Sequence, residues 1–203
     1  MLTSLSVRHG SPVVRTVRSS VAVVAAAVAL FAAAPRVQAQ DMLDAKSATF
    51  VRDRYLTDLD TLHAKVMALA EAIPEDKYAW RPSAGVRSVS EAFMHIASEW
   101  YYFTPMSVAA KAPDNFGTPR EALPKLEQIT KKSEVISELN KSWTHCRAQV
   151  SGVDASKLTG TYKPWNVSLP EAAFAMAGDL HEHLGQLIAY ARANGVTPPW
   201  SKK

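Results

Sequence analysis

Cysteine is nearly missing from this chain: Cys146 is the only one in 203 residues. A disulfide scaffold is therefore excluded, and core packing has to carry the stability. An excess of one charge is missing too. There are 23 basic and 19 acidic side chains, but four of the basic ones (Arg8, Arg15, Arg18 and Arg36) fall in the first 39 residues, which hold no acid. The other 19 basic groups balance the 19 acids. The folded part thus lacks the basic footprint of a nucleic-acid binder. There is no Gly-rich phosphate loop, no Gly-x-Ser-x-Gly elbow, no Cys-pair zinc motif and no His-Glu-x-x-His helix. Beyond residue 39 there is no internal repeat, no low-complexity tract and no strand-like alternation of useful length. What remains, 47% hydrophobic and 21% charged, has the composition and length of one globular domain with a real core.

The first 39 residues read as an address. Arg8, Arg15 and Arg18 precede an unbroken apolar run of 14 residues, Val21 to Ala34. Pro35-Arg36-Val37-Gln38-Ala39 then offers a cut after Ala39. That order predicts a cleavable secretory signal peptide. As an uncleaved anchor the run falls short of the about 20 residues that span a bilayer. No Cys follows the cut, which argues against a lipid anchor, and no Arg-Arg pair precedes the run, which favours export of the unfolded chain. The expected product is residues 40–203, periplasmic or secreted, with no stable membrane anchor.

This mature part predicts an all-α fold of four helices. The first covers about Ala45–Ala72, with a stripe of Leu56, Leu59, His63, Val66 and Ala70, and Pro74 beyond its end. The second runs from about Val89 to Ala110 behind a Ser88–Glu91 capping box, with Ala92, His95, Glu99, Tyr102 and Met106 inward. A long loop with a short helical turn leads to the third, about Lys131–Val150, whose stripe is Ile136, Leu139, Trp143, Cys146 and Val150. The fourth, about Leu169–Asn194, starts at a Ser168–Glu171 box and turns Ala172, Met176, Asp179, His183, Leu187 and Tyr190 inward. Four stripes bury each other most economically in a four-helix bundle. Cys146 then reads as a buried structural thiol.

Two of these stripes carry polar groups where a core wants leucine. His95 and Glu99 are four residues apart and share a face, and so do Asp179 and His183. Facing one another inside a bundle, the pairs would build a mixed nitrogen and oxygen shell for a divalent ion such as Zn, Ni, Fe or Mn, with a position left open for water or substrate. Each histidine taken alone also fits a hydrogen-bonded core residue. Buried without partners, however, the four groups together would cost several kcal/mol. His63 is a candidate supporting residue or further ligand, as is Glu99. His181, two residues from both Asp179 and His183, points elsewhere and is expected at the flank with Glu182. His145 is expected in solvent. Trp80 and Trp165 fall in loops, where an aromatic ring packs or lines a pocket.

The segments Trp80-Arg-Pro82, Ser88-Val-x-Glu91-x3-His95 and His183-Leu-Gly-Gln186-Leu-x3-Tyr190-x4-Gly195-x2-Pro198-Pro199 resemble the DinB-like (DinB/YfiT) superfamily. The resemblance spans the whole mature chain and implies a four-helix bundle. It also implies a divalent metal held by three histidines, one from the second helix and two from the last, and commonly a homodimer. Some relatives are thiol-dependent transferases or isomerases. Position by position, the ligands fall at His95, Asp179 and His183, with Asp179 standing where the family has histidine. The functional expectation is an exported metal-dependent enzyme, a hydrolase or thiol-dependent transferase acting on a small molecule. The alternative is a non-catalytic bundle that binds a small ligand or protein partner around a degenerate site.

Overall fold

A computed structural model describes residues 43–114 and 116–201. The expected signal peptide and its expected cleavage point lie outside the described residues. The described part holds six α-helices, three short 3-10 turns and one small hairpin: α1 (Ala45–Ala72), α2 (Val89–Tyr101), α3 (Phe103–Met106), α4 (Pro119–Leu126), α5 (Lys132–Ser151) and α6 (Leu169–Ala193), with β1 (Thr161–Tyr162) paired antiparallel to β2 (Val167–Ser168). The all-α class expected from the sequence is borne out. Among the described residues no helix is long and apolar enough to cross a membrane.

The long helices begin where local chemistry says they should. Asp44 accepts from the Ser47 N–H at 2.7 Å and caps α1. Both predicted capping boxes form: the Ser88 N–H donates to Glu91 at 2.7 Å, and the Ser168 N–H donates to Glu171 at 2.9 Å. Helix α1 ends at Ala72, because the residue before Pro74 is driven out of the helical region. Gly195, at φ 74°, takes the left-handed turn beyond α6.

Helix α1 packs against α5 and α6, and α2 packs against the same two, so the four long helices close a ring about one core. Helix α2 is buried on nearly all sides, with Phe93, Met94, Ile96 and Trp100 fully inside. Three expectations need correcting. The second helix does not run to Ala110: it breaks at Tyr102 (φ −115°, ψ −71°). Pro105 has no N–H for the Tyr101 carbonyl and its ring crowds that carbonyl, so only the short α3 follows. The stripe of α1 is rotated. Tyr55, Leu62 and Leu69 are buried beside Leu59, Val66 and Ala70, while Leu56 and His63 are half-buried. Both sets of residues have helical spacing, and the bulkier one wins the interior. Lastly, Ile136 on α5 gives way to Val135 as the buried residue.

Candidate metal centre

Helices α2 and α6 are neighbours in the ring, which brings the two polar pairs face to face. Nε2 of His95 lies 3.2 Å from Oε1 of Glu99, and Nε2 of His183 lies 3.3 Å from the same oxygen. The two imidazoles meet edge to face at 4.6 Å. One ligand atom from each of His95, Glu99 and His183 falls within 4.8 Å of the other two. Helical periodicity sets this arrangement: a four-residue step puts Glu99 one turn past His95 on the same face.

Glu99 is the centre of the cluster. It is only 2% exposed. Burial works to raise its pKa, but hydrogen bonds from His183 and His95 outweigh burial and hold it down at about 2. The same bond to Glu99 raises His183 against the opposing effect of burial. The far side of the His183 ring is oriented from within α6. Its Nδ1 lies 3.5 Å from the Gln186 carbonyl, a long contact, and the Gln186 amide donates to the Tyr190 hydroxyl at 2.8 Å. Such outer partners fix ring orientation at ligand histidines.

Two polar atoms of the cluster, Nδ1 of His95 and Oε2 of Glu99, are buried without a hydrogen-bond partner among the described residues. Native interiors rarely leave such atoms unsatisfied. An anionic oxygen and imidazole nitrogens converging on one point are the donor set of a divalent N/O metal site, so the residues present fit the ion.

Asp179, expected as a ligand, stands beside this group. Its Oδ1 is 3.7 Å from Nε2 of His183, and its side chain is 46% exposed. Desolvation and the neighbouring Glu99 carboxylate push its pKa up to about 6. Glu99, expected in support, instead occupies the position between the two imidazoles. His63 joins neither role. Its ring stacks on Trp143 at 4.4 Å and lies 5.6 Å from Trp100, and burial pushes its pKa down to about 4, so it is a neutral core imidazole. His181 is at the flank as expected, bound to Asp58 at 3.0 Å. His145 is not free in solvent: its Nε2 meets the Lys111 carbonyl at 3.0 Å. Cys146 is fully buried, and burial raises its thiol.

A cleft of about 520 Å³ opens from the cluster between α2, α3, α6 and the hairpin, lined by His95, Glu99, Phe103, Trp165, Met176 and Asp179 among others. Trp80 packs edge-on against Tyr190, whereas Trp165 is the loop tryptophan that reaches the cleft.

The family model described as DinB superfamily matches residues 58–187. The chain belongs to the DinB superfamily. The matched stretch includes His95, Glu99, Asp179 and His183, and metal binding is typical of the DinB superfamily. No curated protein and no solved structure matches the chain.

Proposed function

We propose that this DinB superfamily member is an exported, metal-dependent enzyme of hydrolase or transferase type, with a divalent ion held by His95, Glu99 and His183. The convergence of three ligand atoms within 4.8 Å, around a carboxylate that is 2% exposed, carries this reading. The basic and then apolar first 39 residues support export. A divalent ion bound there would supply Lewis-acid polarisation of a coordinated oxygen or thiol.

The chain's own groups have separate tasks. His95 and His183 present nitrogens from two helices, and Glu99 supplies the negative charge between them. Gln186 and Tyr190 hold the His183 ring in place. Asp179, at the solvent edge of the cluster, is positioned to take a proton from a group entering the cleft, with its Oδ1 3.7 Å from His183. Phe103, Trp165 and Met176 form an apolar lining of the cleft beside the centre.

The test is thermal melting of untagged protein with chelator and then with zinc, nickel or manganese. A native-state site gives stabilisation that rises with metal concentration, about 2.7 kcal/mol at 100 times Kd. His95→Ala should abolish it. A melt that no divalent ion moves, in wild type and variant alike, would refute the proposal.

A further inference from the structure

Resting on that reading of the site, we propose that the cleft beside His95, Glu99 and His183 accepts an organic cation: a substrate with an ammonium group on an apolar or aromatic body. Among the described residues three carboxylates (Glu99, Asp179 and Glu182) line the cleft, and no lysine or arginine does. Asp179 and Glu182 are three residues apart, on one side of α6. Among the described residues neither is ion-paired to a lysine or arginine; Asp179 meets only imidazole and carboxylate groups. A divalent ion at the centre offsets two of the three negative charges, so the mouth stays net negative. An anionic substrate would meet repulsion there, and a cationic one attraction.

The same cleft carries aromatic lining. Trp165 is 48% exposed. Its position is set by the hairpin. The Trp165 N–H donates to the Tyr162 carbonyl at 3.3 Å, Asn166 takes φ 54° to close the turn, and the Trp165 ring rests edge-on against Tyr162 at 5.0 Å. Phe103 and Met176 continue the apolar lining inward. An exposed indole lining the same cleft as carboxylates is the combination that recognises alkylammonium groups, because a ring face and the acids attract the same charge. Glu99 adds the second sign of a ligand: it lines this cleft, and its buried Oε2 has no hydrogen-bond partner among the described residues. A bare second metal ion fits less well. Among the described residues the three-donor cluster is His95, Glu99 and His183, and the mouth adds only the half-exposed Asp179 and the exposed Glu182.

Calorimetric titration of the protein, with and without zinc, tests this. The probes are benzyltrimethylammonium and its anionic counterpart phenylmethanesulfonate. The cation should bind at least about tenfold more tightly. Glu182→Gln and Trp165→Leu should each weaken it about threefold to tenfold while leaving zinc uptake unchanged. Equal binding of the two probes, or a cation preference that both variants leave intact, overturns the proposal. So does uptake of two zinc ions per chain that falls to one in Glu182→Gln. If wild type takes up no zinc, the metal reading fails, and the titrations on metal-free protein still decide the ligand class.

Discussion

Glu99→Gln separates a metal centre from a polar core more sharply than any other change. The glutamine keeps the shape of the side chain and removes its charge. In metal-free protein the carboxylate is held at about 2, against its ordinary value of 4.5, by two imidazoles at 3.2 and 3.3 Å. A folded-state pKa below the unfolded one means stability that is present above pH 4.5 and lost as pH falls toward 2. At pH 7 that stabilisation is complete and amounts to about 3 kcal/mol. Removing it should lower the melting temperature of the metal-free protein by about 6–12 °C. The His183 shift has the opposite sign. It is raised above 6.5, so its contribution is full below that pH and fades as pH rises through the folded value. Zinc displaces protons from its ligands, so zinc stabilisation of wild type should grow from pH 5 to pH 8. In Glu99→Gln the zinc shift should largely vanish, since a direct ligand is worth more than the about 10–100-fold in affinity carried by outer partners. Melts and competitive zinc titrations read both effects. A variant that melts within a degree of wild type at pH 7, and takes zinc equally well, would refute the reasoning.

Asp179→Asn should behave oppositely. The raised Asp179 pKa means that its ionisation costs stability as pH rises from 3.8 to about 6, so in metal-free protein the asparagine should stabilise at pH 7. Because the side chain is 46% exposed, the gain expected in a denaturant titration is about 0.5–1 kcal/mol. Its zinc affinity should fall no more than about tenfold, and a loss matching that of Glu99→Gln would make Asp179 the third ligand. His63 is depressed from 6.5 to about 4, so the unfolded chain binds its proton first and stability falls as pH drops through that window. For this half-buried ring, His63→Phe should remove about 1–2 kcal/mol of the loss between pH 7 and pH 4.5, and an unchanged pH profile would place the ring in water. Cys146, fully buried, should react with a maleimide at least about a thousandfold more slowly in native than in unfolded protein. Comparable rates would contradict its place in the core.

The parts of this protein that were legible in its sequence are those set by local chemistry. Ser88 with Glu91, Ser168 with Glu171, Pro74 and Gly195 act within one turn of chain, and each marks a helix end within a residue or two of where it lies. The four-residue spacings of His95 to Glu99 and of Asp179 to His183 likewise put each pair on one face. Which carboxylate sits between the imidazoles is a different kind of fact. It depends on how α2 and α6 cross, and helical spacing treats Glu99 and Asp179 alike. The pattern of the DinB superfamily, with a ligand at position 179, drew weight to the more exposed of the two. The signal that favoured Glu99 was its setting. Glu99 lies on the most apolar of the long helices among the described residues, between Ser98 and Trp100, where a charge is too costly to bury without a purpose. The rotated stripe of α1 has the same origin, because two overlapping helical patterns are separated only by what packs against them. The break at Tyr102 could have been anticipated, since Pro105 cannot donate to the carbonyl four residues back.

The most direct measurement is anomalous scattering from crystals of untagged protein grown without chelator. The account predicts one peak at coordinating distance from nitrogens of both His95 and His183 and from an oxygen of Glu99. A map with no peak there, although zinc or another divalent ion was present throughout purification, would contradict it.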